Sequence, residues 1–449
     1  NPVDRDGRAR QDRDVLYWGV EYELHVGRGD SGTDGVPRDG DKSEMFSLRL
    51  SHGTPFGRSV DVCVIGGGVV GCSIAYHLAR NSRLKILLLE QGHLGSGSTG
   101  RSAGGVRRQF LTEIHIRLSI ESLKMFHTFR EEMGWDPDFR EAGYLFLLST
   151  DEERTLFRRG VELQRRLGVS VEILSPSEIQ RLVPCLRVDD LLEGTYTGGD
   201  GYASPFQVVW GYGERARDLG VQIREGCAVT GVRVQGGRVQ GVRWCDGEIA
   251  APVVINAAGA YAGLVGQMAG VEVPVTPWRR QLFVTAPVPD FAREVPVTID
   301  VQRGWYFRRE EGGALIPAPT DRHSSFNTAV DWEIVPEVRA ACAHRVPVLA
   351  EAEIVRGWAG LYDISPDNHP ILAESEVQGF FLACGFSGHG FMHGPVAGKL
   401  MAELILNGKT TGIDISPLSL QRFRDGRVNQ EPITMHGVTD FRNPTTDDR

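Results

Sequence analysis

The chain has 449 residues, 41% hydrophobic and 24% charged, which is enough for more than one packed layer around a large core. A net charge of −9 argues against a nucleic-acid backbone as the main partner, because phosphate binding needs a basic face. No apolar run reaches the roughly 18 residues needed to span a bilayer, and seven cysteines without Cys-x-x-Cys or His/Cys spacing give neither a disulfide framework nor a zinc site.

That cysteine usage suits a reducing compartment, so a cytoplasmic protein with cysteines as buried small hydrophobes is expected. Residues 1–58 mix Asp, Gly and both charge signs without a sustained period, and they lack the charged and apolar regions of a signal peptide. They read as a disordered extension with one short strand at VLYWGVEYEL.

From Ser59 the pattern becomes regular. VDVCVI is a short β-rich run, SIAYHLAR carries apolar residues at helical spacing, and LKILLLE is a second buried strand, together a βαβ unit. Between the first strand and the helix lies Gly66-x-Gly68-x-x-Gly71, with Val69 and Val70 inside it. Such glycines permit a tight turn and close backbone approach to a pyrophosphate, which the free N–H groups of the helix N-terminus then receive. Glu90, 22 residues after Gly68 and followed by Gln91, ends the second strand where an acid binds ribose hydroxyls and disfavours a 2′-phosphate.

Further along, a helix is expected within 111–133 and an amphipathic one around 151–167. VTGVRVQGGRVQGVRW reads as a hairpin turning at Gly236–Gly237. VVINAAGAYA is strand, tight turn and helix start, while 272–355 is rich in Pro and β-formers and predicts an antiparallel sheet. FFLACGFSGHGFMHGPVAGKLMAELILNG ends the pattern as strand, glycine loop and amphipathic helix, with Pro395 in the first turn and Gly408 as its stop. The fold class is therefore α/β: a discontinuous Rossmann-like dinucleotide domain (59–145, 203–271 and 355–425) with an inserted α+β substrate domain (146–202 and 272–354) on an antiparallel sheet, and a tail at 426–449.

GSGSTGRSAGGVRRQF, NAAGAYA and CGFSGHGFMHGP, in this order, resemble the amino-acid-oxidase-type flavoproteins over about residues 59–425. More narrowly, they are similar to sarcosine oxidase β-subunits, monomeric sarcosine oxidase, the flavin subunit of dye-linked proline dehydrogenases, and eukaryotic FAD-dependent oxidoreductase-domain proteins. The resemblance implies FAD, with Ser98, Thr99 and Arg101 along its pyrophosphate and ring, Val229 at adenine, and Ala258 and Gly259 close to the cofactor. It places Gly385, Gly388, His389, Gly390, Phe391 and Met392 around the flavin, where a helix N-terminus stabilises charge building at the N1/C2=O edge.

It further implies hydride transfer to FAD from a secondary or N-methyl amino acid such as sarcosine, proline or dimethylglycine. Tyr362, Tyr306, Arg107 and His389 are the candidate catalytic residues. The three positions that attach flavin covalently in relatives are here Gly360, Arg101 and Pro205, so noncovalent FAD is expected. Met392 stands where monomeric sarcosine oxidase has a carboxylate-binding lysine, which leaves another cation or another substrate to be found. The electron acceptor is O2 or a partner subunit. Two alternatives remain: an FAD-binding assembly factor without amine turnover, and an electron-transferring β-subunit active only in a hetero-oligomer. No metal site is expected.

Overall fold

A computed structural model describes residues 58–434 apart from 245, 246, 292, 320 and 322, together with 437 and 438. The expectations for residues 1–57 and for Cys245 lie outside the described residues.

The strands that position the site are β1 (Val62–Ile65), β2 (Ile86–Leu89), β3 (Tyr144–Leu148), β4 (Glu172–Leu174), β5 (Glu193–Thr197), β6 (Gln222–Arg224), β7 (Val253–Asn256), β8 (Thr276–Thr285), β9 (Val297–Asp300), β10 (Trp305–Glu310), β11 (Gly313–Pro317), β12 (Ile354–Ile364), β13 (Ile371–Glu374) and β14 (Phe380–Cys384). The principal helices are α1 (Val69–Asn81), α2 (Glu113–Met133), α3 (Pro205–Asp218) and α4 (Gly390–Asn407).

Six strands form a sheet in the order β13-β14-β7-β1-β2-β6, parallel except for the β13–β14 pair. β1 and β2 are buried at every position, as strands covered on both faces must be. Their alternate residues feed two cores. Val62, Val64, Ile86 and Leu88 pack under the helices, whereas Cys63, Ile65, Leu87 and Leu89 pack with Val232, Val242 and Trp244 of a three-stranded antiparallel sheet. In that sheet the expected hairpin turns at Gly236 and Gly237, at φ 60° and 71°. Positive φ at both central residues is the geometry a two-residue hairpin prefers.

α4 crosses α1 at close range because small residues face each other. A Cβ on Gly398 would lie 2.1 Å from Ser73 Oγ, and one on Gly394 would lie 2.7 Å from Val69 Cγ1. The helix starts at Gly390, earlier than its sequence suggests, so Pro395 lies inside it rather than in its first turn. Pro395 removes one backbone donor, while its own carbonyl accepts from Ser73 Oγ at 3.1 Å.

The second large sheet runs β12-β8-β11-β10-β9-β3-β5-β4. Its neighbours are antiparallel except β9 and β3, which run parallel, so the sheet is mixed where an antiparallel one was expected. The departure comes from β3 at 144–148, which lies far in sequence from the 272–355 block that supplies its parallel neighbour β9. β12 pairs with β8 along its length, although its sequence groups it with the dinucleotide segments. Five of the six described cysteines are buried. Among the described residues, no helix is long and apolar enough to cross a membrane.

Candidate active site

The carboxyl end of β1 makes the first wall. Gly66 stands at φ +110°, and a Cβ on it would sit 2.4 Å from the Ala257 carbonyl oxygen, so the turn accepts only glycine. Gly67 N donates to Glu90 Oε2 at 2.6 Å, and Gly92 N donates to Oε1 at 2.7 Å. Glu90 thus ties the end of β2 to the glycine turn. At the start of α1, Val69 N donates to Thr99 Oγ1 at 3.2 Å. Asn256, at the end of β7, shapes the next turn: its Nδ2 donates to Ala262 O at 2.9 Å, and its Oδ1 accepts from Ala258 N at 3.3 Å.

These turns line a cleft at the carboxyl ends of the parallel strands, about 1190 Å³ of empty space with open solvent included. Of the residues expected at the cofactor, Gly66, Gly68, Val69, Val70, Glu90, Gln91, Ser98, Thr99, Val229, Ala258, Gly259, Gly388, Gly390 and Phe391 line it. Gly71, Arg101, Gly385, His389 and Met392 do not. Gly71 packs α1 against the turn, since a Cβ there would meet Gly66 O at 1.9 Å. Gly385 N donates to the buried Asp363 carboxylate at 2.8 Å. Met392 is buried in the helical core, where the phase of α4 from Gly390 turns it.

The cleft fits a flavin dinucleotide. It offers backbone N–H groups at the N-terminus of α1 and an acid at the end of β2. It also carries bare backbone at Gly97 and Gly259, where no atom lies within 4 Å of a built Cβ.

A smaller pocket, about 390 Å³ of empty space with open solvent included, shares Ser98, Ser102, Leu361 and Tyr362 with the cleft and adds Arg101, Arg280, Tyr306 and Gly360. Strand register builds it. Arg280 on β8 pairs with Gly360 on β12, and Tyr362 lies two residues further along the same face. The Arg280 guanidinium carbon lies 5.4 Å from the Tyr362 ring centroid, a diagonal cross-strand contact. Burial lowers the Arg280 pKa, while Tyr362, Asp321 and Tyr306 oppose that shift, and the side chain stays a cation. Burial raises the pKa of both Tyr306 and Tyr362, so each keeps its phenolic proton at neutral pH. Among the described residues, no Asp or Glu lines this cavity.

The glycine loop before α4 closes the site. A Cβ on Gly388, at φ +90°, would lie 2.5 Å from the Tyr362 ring, so the loop passes directly over that tyrosine. Asp363 accepts from Gly385 N and Phe386 N at 2.8 and 3.1 Å, and burial pushes its pKa up to about 6. His389 and Arg107 are both buried, with Arg107 Nη2 at 3.4 Å from His389 Nε2. Among the described residues no cluster of His, Cys, Asp and Glu is arranged to hold a metal ion.

Sequence reasoning passed over Arg280, Asp363 and Glu431. Arg280 sits in a run of two arginines, and Arg279 turns instead to Asp321 at 2.6 Å. A signal existed in strand alternation, which sends neighbours to opposite faces. Glu431 comes from the expected tail, yet it is fully buried against Thr112 and His115.

The chain matches the family described as FAD dependent oxidoreductase over residues 61–404. It is 28% identical over 382 residues to the sarcosine oxidase subunit beta of Rhodobacter capsulatus, covering 83% of this chain and 91% of that one. It is 31% identical over 387 residues to mitochondrial sarcosine dehydrogenase of Homo sapiens, covering 82% of this chain and 42% of the relative, so it spans under half of that protein. The structure is similar to that of the L-proline dehydrogenase from P. horikoshii, with a TM-score of 0.78, 31% identity, and 83% of this chain and 100% of that one covered.

Proposed function

The chain belongs to the FAD dependent oxidoreductase family and is a flavoenzyme, and from that premise we propose that it oxidises the C–N bond of a secondary or N-methyl amino acid. The observation that carries this reading is the small cavity beside the cleft, with a buried arginine, two protonated tyrosines and, among the described residues, no carboxylate. Sarcosine, proline and dimethylglycine are the substrate class that this cavity and the relatives favour together.

When bound, FAD would supply the acceptor for a hydride from the C–H next to nitrogen, leaving an iminium product that water can hydrolyse. The chain's own residues then orient and protect. Arg280 holds the substrate carboxylate through its forked N–H groups and supplies the cation missing at Met392. Tyr306 and Tyr362 donate hydroxyl hydrogen bonds and exclude water from the C–H. A cationic cavity without an acid also favours the neutral amine, the form whose lone pair assists hydride loss. The N-terminus of α4, reached through Gly388 and Gly390, faces the cleft with its positive end.

The cofactor is held noncovalently in this reading. Gly360 has no side chain to attach, and a Cβ there would already lie 2.9 Å from Arg101 Cβ. The similarity to a protein named as a subunit favours a partner polypeptide as electron acceptor, with O2 as the other candidate. Anaerobic mixing of the yellow protein with sarcosine, proline, dimethylglycine and glycine is the test. Bleaching of the flavin band by at least one of the first three is expected, and no bleaching by any amine overturns the proposal in favour of an assembly or scaffold role.

A further inference from the structure

Strand pairing and one glycine bring a second arginine to the cavity. Gly360 on β12 stands directly opposite Arg280 on β8, so their side-chain positions emerge on one face of the sheet, roughly 5 Å apart at Cβ. A Cβ built on Gly360 would lie 2.9 Å from Arg101 Cβ and 3.7 Å from Arg101 Cδ. Arg101 therefore fills the space that a side chain at 360 would take, and its Cβ lies within roughly 8 Å of that of Arg280. Its backbone is fixed there, because Arg101 O accepts from Trp358 Nε1 at 3.0 Å. Trp358 lies two residues before Gly360, on the same face of β12.

Both arginines line the cavity, and among the described residues no Asp or Glu does. Acids from the segments around it turn elsewhere. Asp321 accepts from Arg279 Nε at 2.6 Å, and Glu310 accepts from Arg308 Nη1 at 2.6 Å. Asp363, next to Tyr362 on β12, accepts from Gly385 N at 2.8 Å. Arginine presents a charged planar fork that matches a carboxylate. A ligand with one carboxylate answers one of the two forks, whereas a ligand with a carboxylate on either side of its nitrogen answers both.

We propose that the substrate is a secondary amine carrying two carboxylates, one read by Arg280 and the other by Arg101, an inference that rests on the oxidation proposed for this cavity. Arg101 is then a specificity-determining residue, in keeping with its place in the cavity and outside the cleft. Iminodiacetate is the simplest amine of this class, being sarcosine with a carboxylate added to its N-methyl group. A C–H next to its nitrogen would lose a hydride to the bound flavin and the nitrogen a proton, so that C–N becomes C=N. Water would then release glyoxylate and glycine.

Two ethers that lack the nitrogen separate binding from turnover: diglycolate has two carboxylates and methoxyacetate has one. Perturbation of the flavin absorbance of the FAD-loaded protein gives both Kd values. Wild type is expected to bind diglycolate about tenfold or more tighter than methoxyacetate, the worth of one charge-assisted contact. Arg101→Gln should keep its FAD, bind methoxyacetate within about threefold of wild type and lose most of the preference for diglycolate. Arg101→Lys should retain part of that preference, since it keeps the charge and loses the fork. Equal affinities in wild type overturn the proposal without recourse to any variant. Full preference in Arg101→Gln, or loss of its FAD, overturns it too, the latter by assigning Arg101 to the cofactor. Anaerobic bleaching distinguishes this inference from the oxidation beneath it. Faster bleaching by iminodiacetate than by sarcosine is expected, and the reverse order overturns the second carboxylate while the oxidation stands. A diglycolate preference with no bleaching by any amine overturns the oxidation and keeps the two-carboxylate ligand.

Discussion

The nucleotide cleft and the cavity beside it share Ser98, Ser102, Leu361 and Tyr362, yet they are built by opposite means. The cleft is made of backbone. Its glycines, its helix N-terminus and the Glu90 carboxylate that closes the turn all come from short runs at the ends of parallel strands. The cavity is made of side chains from positions 280, 306 and 362: Arg280 and Tyr362 meet because β8 and β12 pair in one register, and Tyr306 comes from β10. Backbone cradles tolerate few changes at a few positions, whereas side-chain cavities can be retuned one residue at a time without losing the cofactor.

Gly66→Ala should have the largest effect. Its Cβ would strike Ala257 O at 2.4 Å from a φ of +110°, and strain of about 1–3 kcal/mol or more in the turn should cost roughly a hundredfold in FAD affinity. Cofactor fluorescence after gel filtration checks this, and full retention would break the backbone account of the cleft. Arg280→Met comes next. Losing a charge-assisted contact worth about 1.5–3 kcal/mol should raise KM roughly 10- to 100-fold while FAD stays bound. Loss of FAD instead would show that the two regions are not separable.

Smaller effects sharpen the boundary. Tyr362→Phe should slow anaerobic flavin reduction by roughly two- to tenfold, the worth of one hydroxyl hydrogen bond, without releasing FAD. An unchanged rate removes Tyr362 from the substrate side. Asp363 makes the smallest and most specific prediction. Its pKa is raised on folding from 3.8 to about 6, so the folded protein binds that proton more tightly. Its stabilising contribution is present in full below pH 3.8 and is lost as pH rises through about 6. Asp363→Asn should flatten the dependence of Tm on pH across that window, and a profile parallel to wild type would contradict the assignment.

The same division explains what could be read from the sequence. Gly66-x-Gly68-x-x-Gly71, Glu90 and the NAAG turn were legible because their requirement is local: a backbone torsion or a close approach fixed within a few residues. The turn at Gly236–Gly237 was legible for the same reason. The resemblance sets Met392 in the loop at the flavin, and helical phase from Gly390 carries its side chain into the core, a turn that no residue of the loop announces by itself. Arg280 could not be told from Arg279 until β-pairing assigned one to Asp321 and the other to the cavity. Glu431 gave no signal at all, since a single acid in an aperiodic segment announces neither burial nor a partner.

In the proposed function, a cofactor cleft built of backbone serves a carboxylate-reading cavity centred on Arg280. It is tested most directly by anaerobic flavin reduction with matched substrates, proline against pyrrolidine, in wild type and Arg280→Met. Wild type is expected to prefer the carboxylated amine by about tenfold or more, and the variant to stay yellow and lose most of that preference. Equal preference in the two proteins would contradict it.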